Sequence, residues 1–149
     1  MNETIWLNPN EYDKQECIEL RLNAPKSEKI LLDFNPLRIS DDYDWDPKWE
    51  EWHCYYRPLR IYKQDYELLL DYFYKVFPTR YTPEGKPNPI FDVCFSNWIE
   101  KADWEKLISE IEQDLDSYID DEKRFFEDFI KWVKEALKHT LVIVVEGNQ

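Results

Sequence analysis

Between residues 40 and 56 the chain reads SDDYDWDPKWEEWHCYY. Six carboxylates (Asp41, Asp42, Asp44, Asp46, Glu50 and Glu51) stand among three tryptophans (Trp45, Trp49, Trp52) and three tyrosines, with one lysine to offset them. Four chemistries can use such a run: a metal loop, a catalytic carboxylate set, a folding element, or a surface for a cationic partner. Asp42, Asp44 and Asp46 have the alternate spacing that opens a calcium-binding EF-hand loop. The pattern then breaks, because the turn glycine falls on Pro47 and the bidentate glutamate on His53. Zinc is not announced either. His53 and Cys54 are adjacent, and Cys17, Cys94 and His139 are remote in sequence, without CxxC spacing. A nucleophilic site needs a base and an orienting group around the nucleophile, and no glycine-flanked serine elbow is present. Gly85 and Gly147 are the two glycines of the chain, too few for a phosphate-cradling loop or a dinucleotide fingerprint. The chain reads as a non-enzyme without a cofactor or metal. A hydrolase using Asp42, Asp44 and Asp46 with His53 is the minor alternative.

Trp, Tyr and carboxylates together suit a partner rich in Lys and Arg. The rings supply contact area and cation–π attraction, while the acids pair and steer. Asp41, Asp42, Asp44, Trp45, Asp46, Trp49, Glu50, Glu51 and Trp52 are therefore the expected contact patch. A second acidic cluster, Asp114, Asp116, Asp120, Asp121 and Glu122, is a weaker candidate, since helix capping and first-turn acids account for half of it.

The whole composition agrees with a binding role. Of 149 residues, 32 are acidic and 19 basic, a net charge of −13. That excess draws cationic partners and disfavours nucleic acid or an anionic membrane as direct ligands. The hydrophobic share of 43% and aromatic share of 17% exclude a disordered acidic tail. The N-terminal stretch lacks the basic start and apolar run of a signal peptide, and LVIVV at 141–145 is too short to span a bilayer. Three widely spaced cysteines read as reduced thiols, with Cys54 and Cys94 packing inward from strands. The expected location is the cytoplasm.

The elements that must carry these groups follow from periodicity. CIELRL (17–22) and KILLDF (29–34) alternate and predict a β-hairpin joined by six residues. WHCYYR (52–57) predicts a third strand. Tyr66, Leu69, Leu70, Phe73 and Phe77 predict a helix over 63–77, ended by Pro78. PTRYTPEGKPNP (78–89) reads as a loop, and IFDVCF (90–95) as a strand. A helix from about Asp103 buries Trp104, Leu107, Ile108, Ile111 and Leu115. Another from about Asp120 buries Phe126, Phe129, Ile130, Val133 and Leu137, with Lys138 and His139 at its negative end. LVIVV is an interior strand, and the long helix before it permits parallel pairing. The fold class is α+β over 1–149: one mixed sheet of four or five strands, with three helices mostly on one face.

The stretches FDVCFSNWIEKADWEKL and FFEDFIKWVKEALKHTLVIVVEGNQ resemble immunity proteins of bacterial polymorphic-toxin and contact-dependent growth inhibition systems. The resemblance implies a cytoplasmic inhibitor that binds and neutralises a cognate toxin, often a basic nuclease, by covering its active site or substrate path. An adaptor that binds another cellular protein without any toxin is the alternative.

Overall fold

The computed structural model describes residues 17–37, 58–76, 80–81, 87–88, 91–94 and 96–148. In chain order these form β1 (Ile18–Glu19), β2 (Leu31–Pro36), β3 (Leu59–Tyr62), α1 (Lys63–Val76), β4 (Arg80–Tyr81), β5 (Pro87–Asn88), β6 (Ser96–Glu100), α2 (Lys101–Asp114), a 3₁₀ turn (Leu115–Ser117), α3 (Asp120–Leu137) and β7 (Val142–Gly147). Five strands make one mixed sheet in the order β1-β3-β2-β7-β6, and β4 pairs with β5 in a separate ribbon. The α+β class with three helices is therefore observed.

One core joins sheet and helices. Leu32 and Phe34 of β2, Leu59 and Ile61 of β3, Ile99 of β6, and Ile143 and Val145 of β7 face the buried stripes of all three helices. These are alternate residues of each strand, as the two-residue period of a strand requires. The α2 stripe (Trp104, Leu107, Ile108, Ile111) and the α3 stripe (Phe126, Phe129, Ile130, Val133, Leu137) are buried as the sequence predicts. The other face of β7 is buried too: Val142 and Val144 pack with Leu37 in a second, smaller cluster. That double burial explains the unbroken apolar run of this strand.

Pro36 can end β2 inside the sheet because of register. The Leu37 N–H donates to the Val142 carbonyl at 2.9 Å. Pro36, one residue back, thus turns its nitrogen away from β7, so its missing N–H removes no bond to that strand. Gly147 at the far end of β7 is needed for close approach. A Cβ there would lie 1.8 Å from the carbonyl oxygen of Val93, so no side chain fits.

Four expectations are corrected. The 17–22 and 29–34 segments do not form a hairpin: β1 pairs in parallel with β3, which lies between it and β2. Side chains select that partner. Glu19 accepts from Arg21 Nε at 3.0 Å and from the Tyr62 hydroxyl at 3.1 Å, and the Arg21 guanidinium sits 4.1 Å above the Tyr62 ring. On the same face Arg60 grips Asp33 of β2 with two bonds of 2.7 and 2.9 Å, and this pairing raises the Arg60 pKa further above its ordinary value. The strand expected at 90–95 begins instead at Ser96. Residues 92–94 turn because the Asp92 carboxylate accepts the Cys94 N–H at 2.8 Å, an Asx-type turn. Cys94 is consequently exposed in a turn and does not point inward from a strand. The loop expected at 78–89 contains the short β4–β5 ribbon. Finally, β7 is antiparallel to both neighbours.

Candidate functional site

The expected contact patch, Asp41 through Trp52, lies outside the described residues, as do His53, Cys54 and the strand predicted at 52–57. The second acidic cluster is described in full. It forms the tip where α2 gives way to α3, and its geometry follows from local sequence.

Helix α2 ends at Asp114, and Leu115–Ser117 tighten into a 3₁₀ turn. Tyr118 and Ile119 are extended, and α3 then starts at Asp120. The chain reverses here without a glycine. Asp120 adopts φ 50, a left-handed conformation that Asp tolerates better than most side chains. Ile119 occupies the N-cap position of α3 and cannot cap with its side chain. Asp120, Asp121 and Glu122 lie in the first turn, where the positive end of the helix dipole favours them.

Rings on the inner side fix the tip to the body. Tyr118 stacks on Phe126 at 4.2 Å between centroids. The Tyr72 hydroxyl of α1 donates to Asp114 at 2.8 Å and lies 2.6 Å from the Tyr118 hydroxyl. Tyr72 has one proton, which goes to the carboxylate, so Tyr118 donates to Tyr72. Burial, reinforced by these bonds, pushes the Tyr72 pKa upward. Burial likewise pushes Tyr66 of α1 up to about 12.

These shifts set an alkaline limit. An unfolded tyrosine ionises near about 10, whereas the folded chain holds Tyr66 and Tyr72 neutral beyond that. Their contribution is complete below about pH 10 and disappears as pH rises through the folded pKa values. Stability measured by urea unfolding should be flat from pH 8 to about 10 and then fall, and Tyr72→Phe should make the fall shallower. An unchanged slope in that variant would remove Tyr72 from the account.

On the outer side the tip is charged and open. Asp114, Asp116, Asp120 and Asp121 are exposed, and Ile119, between them, keeps 73% of its surface in solvent. Lys123 reaches Asp116 at 3.5 Å. Asp120, Asp121 and Glu122 form no ion pair among the described residues. From Glu110 to Glu122 the sequence carries seven acids and no base. The chemistry available is charge pairing with Lys or Arg around one aliphatic contact. Among the described residues no group of three or more His, Cys, Asp or Glu is placed to hold a metal ion, and no helix is long and apolar enough to cross a membrane.

The remaining candidates are dispersed. His139 follows the end of α3, 3.8 Å from Glu135, in the position that suits a helix C-terminal cation. Cys17 precedes β1, half-buried, its thiol pKa raised chiefly by burial. Sequence reasoning missed two features that the fold makes prominent. One is the exposed Ile119, whose only signal is an isolated apolar residue in the turn-forming run DSYIDDE. The other is the seam of α2 and α3, where Lys101, Lys131, Lys134 and Lys138 alternate with Glu105, Glu112, Glu127 and Glu135 along two shallow grooves. No family model, no curated protein and no solved structure matches the chain in comparisons with known proteins.

Proposed function

We propose that this protein is an immunity-type inhibitor, which binds a cognate, basic toxin domain such as a nuclease and covers its active site or substrate path with acidic, aromatic-rich surface. The observation that supports this most is the imbalance of charge. The chain carries −13 overall, and the tip presents carboxylates that the described residues leave unmatched. Such a surface imitates the phosphates a nuclease would otherwise grip and speeds encounter with a cationic partner. The proposed contact remains Asp41, Asp42, Asp44, Trp45, Asp46, Trp49, Glu50, Glu51 and Trp52.

The test is association with the product of the neighbouring gene, together with rescue of cells that express that product. Association should slow by about tenfold or more when salt is raised from about 50 to 500 mM, because screening removes steering. Reversing Asp42, Asp44 and Asp46 to lysine should weaken binding by at least about tenfold while the circular dichroism spectrum is kept. If the neighbouring product neither binds nor harms cells, the inhibitor reading is wrong. If it binds and the reversed variant binds equally well, only the patch is wrong.

A further inference from the structure

Helix α1 turns an aromatic and acidic stripe outward. Glu67, Leu70, Asp71 and Tyr74 follow one another at i, i+3, i+4 and i+7, so they share one side of the helix. Leu70 is half-buried against the core, and the other three are exposed. Tyr74 keeps 51% of its surface in solvent, the most of any aromatic residue among those described. The ring is nevertheless held in place. It meets Phe91 edge-to-face, 6.3 Å between centroids at 78°, and Phe91 is itself buried and stacked on Phe73 at 4.2 Å. Glu67 and Asp71 both lie beyond the first turn of α1, so the helix dipole does not account for them. Among the described residues neither forms an ion pair. Of the two lysines of α1, Lys75 is bonded to Glu110 of α2 at 2.7 Å, and Lys63 makes no ion pair among the described residues.

We propose that this stripe is a docking surface for an extended, arginine-bearing segment of another protein, with one guanidinium over the Tyr74 ring against Asp71 and a second, two residues away, on Glu67. Asp71 and Tyr74 are three apart and therefore neighbours on the helix surface, so a cation over the ring also reaches the carboxylate. Glu67 lies one turn back, about 6 Å along the axis from Asp71. Alternate side chains of an extended strand stand about 7 Å apart on one side, so an Arg-x-Arg segment meets both positions. Arginine suits this pair of sites better than lysine, because its planar head stacks on a ring and forks onto a carboxylate. The carboxylates repel nucleic acid and anionic lipid. A second copy of the chain is a poor occupant as well: it carries −13 and contains no Arg-x-Arg. This inference is independent of the toxin reading.

The test is a titration of the isotope-labelled full chain with the blocked peptide Gly-Arg-Ser-Arg-Gly and with its lysine counterpart Gly-Lys-Ser-Lys-Gly, in about 50 mM salt, read by amide chemical shifts. Shifts should concentrate at residues 67–75 and 91–92, and two exposed contacts should give a Kd of about 1 mM for the arginine peptide. The arginine peptide should bind at least about threefold more tightly than the lysine peptide of equal charge. Tyr74→Ala should bring the two peptides level, whereas Tyr74→Phe keeps the ring and the preference. Asp71→Asn should weaken the arginine peptide at least about threefold. All three variants replace side chains that lie at the surface, and Tyr74→Phe serves as the folded reference. Four results would each overturn the proposal: no shifts up to about 10 mM peptide, shifts centred on residues 114–122 or spread over every acid, equal affinity for the two peptides, or a preference that survives Tyr74→Ala.

Discussion

Replacing Asp65 with alanine is expected to lower folding stability by about 3–5 kcal/mol. The side chain is completely buried. An acid in the first turn of a helix commonly serves its own N-terminus, but Asp65 reaches across to another segment. It accepts the backbone N–H groups of Leu22 at 2.8 Å, Asn23 at 2.6 Å and Ala24 at 3.3 Å. Three successive amides converge on one carboxylate, a nest that fixes the chain where it leaves β1. Alanine strands three donors with no acceptor, each costing about 1–3 kcal/mol in full burial. Partial access of water keeps the total below their sum. Asparagine retains one oxygen and turns an NH₂ toward the donors, so Asp65→Asn should cost about 2 kcal/mol. The readouts are the urea midpoint and hydrogen exchange at residues 22–24, which should accelerate in both variants. A loss below about 1 kcal/mol for Asp65→Ala would mean that the segment finds other acceptors.

Asp65 also marks where sequence reasoning stops. Within KQDYELLLDYFYKVF it resembles any solvated first-turn acid, because its partners are backbone groups 41 to 43 positions earlier. Local periodicity carries no information on such a contact. The same limit explains the hairpin that does not form. Alternation in CIELRL and KILLDF correctly identifies extended, half-buried segments, but pairing depends on Arg60, Tyr62 and Asp65, which come later in the chain. The helices were legible because a stripe at 3.6-residue spacing is a local property: α1 and α3 start at Lys63 and Asp120 as expected, while α2 starts at Lys101, before Asp103. The strand at 96–100 was displaced because Phe91, Val93 and Phe95 mimic alternation, while Asn97, the residue that organises the region, looks polar and therefore external. It is buried and acts as a substitute backbone, accepting from Asp92 N at 2.7 Å and donating to the Asp92 carbonyl at 2.8 Å and the Val145 carbonyl at 3.1 Å. The acids of the tip were visible as a cluster. Their significance as a surface was not, since exposure of Ile119 is a property of the folded turn.

Removal of one ring from the centre of the core should be as severe. Phe34 is fully buried on β2, and four rings from three helices surround it: Phe73 at 6.4 Å, Trp104 at 6.1 Å, Phe129 at 5.5 Å and Trp132 at 6.3 Å between centroids. The Phe129 and Trp132 contacts are edge-to-face, at 72° and 71°, the arrangement favoured by ring quadrupoles. Trp104 cannot move into a vacated space freely, because its Nε1–H donates to the Ile143 carbonyl at 3.2 Å. A Phe34→Ala cavity therefore collapses poorly, and the expected loss is about 3–5 kcal/mol, toward the upper part of that range. Domains of this size hold about 5–15 kcal/mol in total, so the variant should be only marginally folded. Phe34→Leu keeps most of the volume and loses the edge contacts, for an expected cost of about 1–2 kcal/mol. The comparison separates packing from ring geometry, and urea unfolding of both variants with fluorescence of the indoles reads it. Near-equal losses in the two would show that ring contacts, and not the cavity, dominate. The consequence reaches the surface as well: Phe129 and Trp104 belong to the two helices that present the tip. Loosening Phe34 should therefore weaken any contact made through that hairpin without altering one of its exposed residues, because an unsteady surface must be ordered on binding.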